Sequence, residues 1–510
     1  MAKAVMLQGT SSNVGKSILA AALCRILYQD GWRVVPFKAQ NMALNSHITR
    51  DGGEMGRAQA VQAQACGLEP AVEMNPVLLK PTGNASSQVI VLGRPVGNMG
   101  ARQYHLEFNT TALDVIQGCL DRFHRDFQVM VIEGAGSPAE VNLKARDIAN
   151  MRVARMADAP VLLVADIDRG GALAAVVGTL ELLEPDERER VAGIIINKFR
   201  GDLELLRPAL EFLEEKTGKP VLGVVPFFRD LRVPEEDSVV LEETVPSAAW
   251  EDARVDIAVV KLPRISNFTD MDALVDEPDV SVRYVHRNRD LGEPDLVIIP
   301  GSKNTIEDML YLEETGIAAE IRVLSSKKIP VIGICGGFQI LGTEIVDPAG
   351  VESRQQKISG LGLLPMSTVF YPEKITTQVE AEVIGGTPWL EPLRGHLVRG
   401  YEIHMGRTEL DAGVPPAFKL KRPLGTETAE WDGAVGGEGL VMGTYLHGIF
   451  DNDLLRRNLV NWLRERRGLL PVTGEVVYAS QREERLNELA RIVRDSLDME
   501  RLYRIIGLNV

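Results

Sequence analysis

Gly9-Thr10-Ser11-Ser12-Asn13-Val14-Gly15-Lys16-Ser17 follows a short apolar run, Ala4–Leu7, and opens a stretch of helical spacing, Ser17–Gln29. A strand, a glycine-bearing turn and a helix, in that order, let backbone amides and a lysine close around phosphate oxygens. Thr10, Asn13, Val14, Gly15, Lys16 and Ser17 are therefore the expected ATP-binding residues. Thr10 stands where the common loop has its first glycine, and Gly9 comes one residue earlier. Beyond this stretch, Trp32–Pro36, Val129–Ile132, Val161–Ala165 and Val191–Ile196 are continuous apolar runs separated by helical stretches such as Gly171–Leu183. Short apolar strands alternating with helices predict an α/β fold with a parallel sheet buried on both faces.

A nucleotide site needs Mg²⁺, which prefers hard oxygen ligands. Ser17 offers a hydroxyl, and Glu133 closes the run Val129–Ile132 at the end where sites gather in such sheets. Either Asp51 or Glu54 supplies a second carboxylate.

A second signature lies about three hundred residues on. Val331-Ile332-Gly333-Ile334-Cys335-Gly336-Gly337-Phe338-Gln339 reads as a buried strand, a sharp turn carrying a cysteine, and a helix. A cysteine at a helix N-terminus is placed to act as thiolate, with the following amides facing an oxyanion. Of seven histidines, His447 in Gly443-Thr444-Tyr445-Leu446-His447-Gly448 and His404 in Tyr401-Glu402-Ile403-His404 both suit a base, and spacing does not choose between them. An ATP site joined to a thiol hydrolase site points to amidation with glutamine as the ammonia donor.

Composition sets the limits. At 510 residues the chain exceeds one core, and 45% apolar with 25% charged residues is ordinary for a globular protein. A formal charge of −15 argues against nucleic acid as a partner. The four cysteines, Cys24, Cys66, Cys119 and Cys335, lack paired or metal-like spacing, as in a reducing compartment. With neither a signal segment nor an apolar span, a cytoplasmic protein without a membrane partner is expected. Monomer and homo-oligomer are both open.

The loop with its acid resembles the dethiobiotin synthetase group, whose members pass phosphate to a carboxylate-type acceptor. Ser11 departs from the partition ATPases, which carry a lysine early in the loop. Cys335 with Gly-Gly-Phe-Gln, Pro300-Gly301-Ser302-Lys303 and His447 resemble the class I glutamine amidotransferase domain. That likeness implies that Cys335 attacks the glutamine amide, that His447 moves the proton, and that Gly301, Ser302 and Gly336 border the oxyanion hole. Ile449 stands where most such domains have the orienting Glu, so the third member is missing or comes from elsewhere, with Glu402 and Asp451 as candidates.

The order of the two domains resembles the cobyrinic acid amidases of vitamin B12 synthesis. Phe37-Lys38-Ala39-Gln40-Asn41-Met42, Met74-Asn75-Pro76-Val77-Leu78-Leu79-Lys80-Pro81 and Asp166-Ile167-Asp168-Arg169-Gly170-Gly171 are similar to the cobyric acid synthase family. The Lys-x-Gly-Pro-Asp pattern of the sister a,c-diamide enzymes is absent. This resemblance implies a small corrinoid substrate, adenosylcobyrinic acid a,c-diamide, amidated at its b, d, e and g carboxylates through acyl phosphates. Lys38, Gln40, Asn41, Asn45, Lys80, Arg146 and Arg169 become candidates for holding it. The expected division is a phosphate-loop synthetase domain over 1–232, a linker over 233–253 and a flavodoxin-like class I glutaminase domain over 254–455. A helical extension over 456–510, packed on the second domain, completes the chain. The rival readings are a related amidase acting on another carboxylate and a non-catalytic regulator with a degenerate glutaminase domain.

Overall fold

The computed structural model describes residues 2–83, 86–104, 108–228, 231, 254–421, 427–474 and 477–509. The whole of the expected linker, 233–253, lies outside the described residues. The chain forms two compact units, Met1–Ala43 with Glu54–Glu236 and Arg482–Val510, and Leu44–Gly53 with Asp237–Gln481.

The first unit is built on a six-stranded sheet in the order Val221–Pro226, Val191–Phe199, Val161–Asp166, Lys3–Gly9, Val129–Glu133, Val34–Phe37. All of its neighbours are parallel. Lys3–Gly9 and Val129–Glu133 lie side by side, with Leu7 level with Glu133. Both phosphate-site elements thus leave the same edge of the sheet, because parallel strands end together. A smaller sheet of Gln40–Met42, Val77–Gly83, Ser86–Val91 and Arg94–Gly100 accompanies it.

The C-terminal segment corrects one expectation. From Arg482 onward it belongs to the first unit rather than the second. Leu486, Leu489, Ala490 and Val493 share a core with Leu19, Leu23 and Leu27 of the helix Lys16–Gln29. Ion pairs Arg25–Glu483 (2.6 Å) and Arg494–Asp30 (2.8 Å) flank that contact. The helical spacing marked an apolar stripe, and a stripe does not specify which surface it covers.

The second unit has its own six-stranded sheet, ordered Val280–Val285, Val255–Val260, Leu296–Ile299, Val331–Ile334, Val441–Thr444, Ala434–Gly436. It is parallel up to its last strand, which is antiparallel. Met366–Val383 and Leu397–Leu410 form a long antiparallel pair in a separate sheet. Val331–Ile334 beside Val441–Thr444 puts the cysteine turn and the His447 loop at one sheet edge, with Ile334 level with Thr444.

Candidate active sites

In the first unit the phosphate loop is shaped by its close approaches. Asn13 and Gly15 take positive φ of 60° and 91°, and a Cβ on Gly15 would collide with Asn197 Nδ2. A Cβ on Gly9 would come within 2.9 Å of Lys16 Nζ, so Gly9 performs the steric task that the common loop gives to the next position. Lys16 Nζ donates to Ser11 O (3.2 Å) and Gly136 O (3.1 Å). Thr10 N donates to Val164 O (2.9 Å), and Asn197 Nδ2 donates to Val14 O (2.8 Å). Lys198 Nζ spans Asn13 O (2.6 Å) and Asp166 (2.9 Å).

Glu133 is the hub of this site. Its Oε1 accepts from Ser17 Oγ (2.7 Å) and Lys38 Nζ (2.8 Å), and its Oε2 from Gln62 (2.7 Å) and Gln59 (3.3 Å). Burial alone would raise the Glu133 carboxyl, but the Lys38 ammonium and the Gln62 and Ser17 donors hold it below the ordinary value. Gln59 also accepts from Asn41 Nδ2 (2.9 Å), so Lys38 and Asn41 join one network with Glu133. Gln40 accepts from Tyr104 Oη (2.7 Å). Sequence reasoning missed Gln59, Gln62, Asn197 and Lys198. The two glutamines stand three apart on the buried helix Arg57–Ala65, which was the available signal.

Other candidates are placed differently. Glu54 and Lys80 form a buried ion pair (2.7 Å). Asp51 lies in the second unit and accepts from the Thr49 hydroxyl. Asn45 is also in the second unit, where its Oδ1 accepts from Phe268 N (3.0 Å). Arg146 and Arg169 are exposed, the latter 4.0 Å from Asp166. The Ser17 hydroxyl and the Glu133 carboxylate suit Mg²⁺, two hard oxygens 2.7 Å apart at the mouth of the phosphate loop. Among the described residues no group of three His, Cys, Asp or Glu side chains could hold a metal.

In the second unit Cys335 occupies a strained turn at φ 51°, ψ −105°, between the strand Val331–Ile334 and the helix Gly336–Leu341. The turn is tight enough that a Cβ on Gly337 would run into Ile299 O, and one on Gly336 would meet Ser302 N at 2.7 Å. A Cβ on Gly301 would lie 3.1 Å from His447 Cε1. Gly301, Ser302, Gly336, Cys335 and His447 are thus gathered at one place. The Ser302 hydroxyl donates to Asp308 (2.6 Å).

His447 has a carboxylate partner, Asp270, which the sequence reading did not find. Asp270 Oδ2 is 2.7 Å from His447 Nδ1, and Oδ1 accepts from Gly448 N (2.9 Å). Burial opposes charge on the ring, but the Asp270 carboxylate and the Cys335 sulfur raise the imidazole to about 10. The candidates Glu402 and Asp451 are placed elsewhere. Glu402 stands 3.5 Å from His404 Nε2, and the Asp451 carboxylate lies near Gly448, where a Cβ would be 3.7 Å from its Oδ2. His404 itself stacks on Tyr445 at 3.8 Å. Asp270 lies 177 residues before His447, which hid the pairing. It does follow the strand Val255–Val260, whose C-terminal end is where a parallel sheet collects its site.

The comparisons with known proteins fit this geometry. The CobQ/CobB/MinD/ParA nucleotide binding domain matches residues 5–240, and the CobB/CobQ-like glutamine amidotransferase domain matches residues 256–455. A cobyric acid synthase of Pelotomaculum thermopropionicum is 61% identical over 513 residues, covering 100% of this chain and 97% of that protein. The one from Moorella thermoacetica is 61% identical over 509 residues, covering 100% and 98%. That of Dehalococcoides mccartyi is 50% identical over 511 residues, covering 100% of both. The chain belongs to the cobyric acid synthase family.

Proposed function

We propose that the chain is an ATP-dependent, glutamine-hydrolysing amide ligase that converts adenosylcobyrinic acid a,c-diamide to adenosylcobyric acid in cobalamin synthesis. The observation that carries this reading is the presence of two chemically complete sites in one chain. One is the phosphate loop with the Ser17–Glu133–Lys38 cluster, and the other is Cys335 with His447 and Asp270. In the second, the Cys335 thiolate attacks the glutamine amide carbon while the turn's amides receive the negative oxygen. His447 gives its proton to the departing ammonia, and water then releases glutamate from the thioester.

In the first, a carboxylate of the corrinoid attacks the γ-phosphate and ADP leaves, giving an acyl phosphate. Ammonia then displaces phosphate and forms the amide. Direct displacement at the unactivated carboxyl group is far slower, because oxide and hydroxide are both poor leaving groups. Lys16, whose ammonium rests on the Ser11 and Gly136 carbonyls, would meet the transferring phosphoryl, and Lys38 lies beside the same carboxylate as Ser17. Mg²⁺, held through Ser17 and Glu133, would neutralise charge on the β- and γ-phosphate oxygens. Repetition at b, d, e and g requires the same phosphate loop to accept each carboxylate in turn.

Two expected outcomes follow from the chemistry. With hydroxylamine in place of an ammonia source, the protein, MgATP and the a,c-diamide should give corrinoid hydroxamates, detected by mass. ADP release without hydroxamate would sink the acyl phosphate. Glu133→Gln should raise the Mg²⁺ concentration for half-maximal amidation by about 10–100-fold. An unchanged magnesium titration would remove Glu133 from the metal's neighbourhood.

A further inference from the structure

The ten residues Leu44–Gly53 belong to the second unit, although the chain on both sides of them belongs to the first. They follow directly on the strand Gln40–Met42. Asn45 and Ser46 are fully buried, and each meets the turn that carries Asp270. Asn45 Oδ1 accepts from Phe268 N (3.0 Å), and Ser46 N donates to Asn267 Oδ1 (3.0 Å). Asn267 takes the left-handed φ of 51° that starts the short helix Phe268–Met271, and Asp270 N donates to Asn267 O (3.0 Å). The same segment also reaches His447 by a second route. Tyr401 stacks on the His447 ring (5.2 Å, 19°) and exchanges backbone hydrogen bonds with it at 3.1 and 2.9 Å. The Tyr401 hydroxyl accepts from Asn267 Nδ2 (3.2 Å) and donates to Ser46 O (3.3 Å). Further along, Thr376 Oγ1 donates to Gly52 O (2.9 Å), and the Gln378 side chain donates to Ile48 O.

From these contacts we infer that the segment Leu44–Gly53 is a built-in part of the glutamine-hydrolysing site, with Asn45 a positioning residue that holds the Asp270 turn against His447. This rests on the reading of Cys335 and His447 as the glutaminase pair. The physical argument is that Asn267 and Phe268 are buried, so no solvent replaces the hydrogen bonds the segment makes to them. The Asp270 carboxylate meets the His447 ring through the 2.7 Å hydrogen bond at Oδ2, so a small displacement of its turn weakens that bond.

The test uses the full chain in four forms: wild type, Asn45→Leu, Tyr401→Phe and Cys335→Ala. The ratio of glutamine-dependent to ammonium-dependent amidation is measured, together with the pH dependence of Cys335 alkylation. Asn45→Leu should lower the glutamine-dependent kcat by about 10-fold with little change in KM, and should leave ammonium-dependent turnover within about twofold of wild type. Tyr401→Phe keeps the ring stack and removes the hydroxyl contacts to Asn267 and Ser46, so it should lower the same ratio; both variants should move Cys335 alkylation to higher pH, because an imidazolium less firmly held by Asp270 supports the thiolate less. Equal ratios in wild type and Tyr401→Phe overturn the inference, even where Asn45→Leu fails to fold. If Cys335→Ala keeps its glutamine-dependent turnover, the glutaminase reading fails instead, so the two failures are distinguishable.

Discussion

Cys335→Ala should abolish glutamine-dependent amidation, by about 10⁴-fold or more, while ammonium at high concentration and alkaline pH restores turnover. Cys335 is the one cysteine of the second unit, since Cys24, Cys66 and Cys119 are all buried in the first. The turn geometry also matters, because the φ of 51° at Cys335 is tolerated only while Gly336 and Gly337 let the backbone pass Ser302 and Ile299 closely. Alanine at 335 keeps that turn, so stability should change little and the ammonium-dependent rate should stay near wild type. Parallel kinetics with glutamine and ammonium as donors check this. Loss of both activities in a folded variant would mean that Cys335 serves the amide-forming step.

The second large effect belongs to Asp270. Asp270→Asn removes the charge that faces His447 Nδ1 and leaves a side chain of similar size. Glutamine hydrolysis should fall by about 10²–10⁴-fold, as expected when a base loses its orienting carboxylate. The pH profile should move in a definite direction. His447 is raised to about 10, in part by Asp270, so its protonated form persists well above neutrality. Without that carboxylate the imidazolium loses its proton at lower pH, and the alkaline limb of glutamine hydrolysis should shift down. The same linkage bears on stability. The part due to this pair is fully present below the unfolded histidine value near 6.5 and is lost as pH rises through about 10. An alkaline limb unchanged in Asp270→Asn would assign the ring's charge to Cys335 alone.

Much of this was legible in the residues, for identifiable reasons. A phosphate loop is local: strand, glycine turn and helix are contiguous from Lys3 to Gln29, and parallel strands announce themselves as short unbroken apolar runs. The cysteine turn is local for the same reason. What escaped was the long-range pairing. Asp270 meets His447 across 177 residues, and Gln62 meets Glu133 across 71. The contact between the C-terminal helix and Lys16–Gln29 spans more than four hundred, as with Arg25 and Glu483. Asn45 looked like a substrate ligand because it follows the Lys-Ala-Gln-Asn-Met run, yet its amide is turned to Phe268. The absence of the usual acid at 449 pointed to Glu402 and Asp451. Ile449 is instead fully buried, and the carboxylate comes from the short helix Phe268–Met271, which follows the strand Val255–Val260.

A mass-resolved time course with adenosylcobyrinic acid a,c-diamide, MgATP and amide-labelled glutamine reads glutamine use, ATP use and corrinoid amidation together. Four successive additions of labelled nitrogen, each accompanied by one ADP and ending at adenosylcobyric acid, are the expected result. A protein that hydrolyses glutamine and ATP but leaves the corrinoid carboxylates untouched would contradict the account and move the search to another carboxylate.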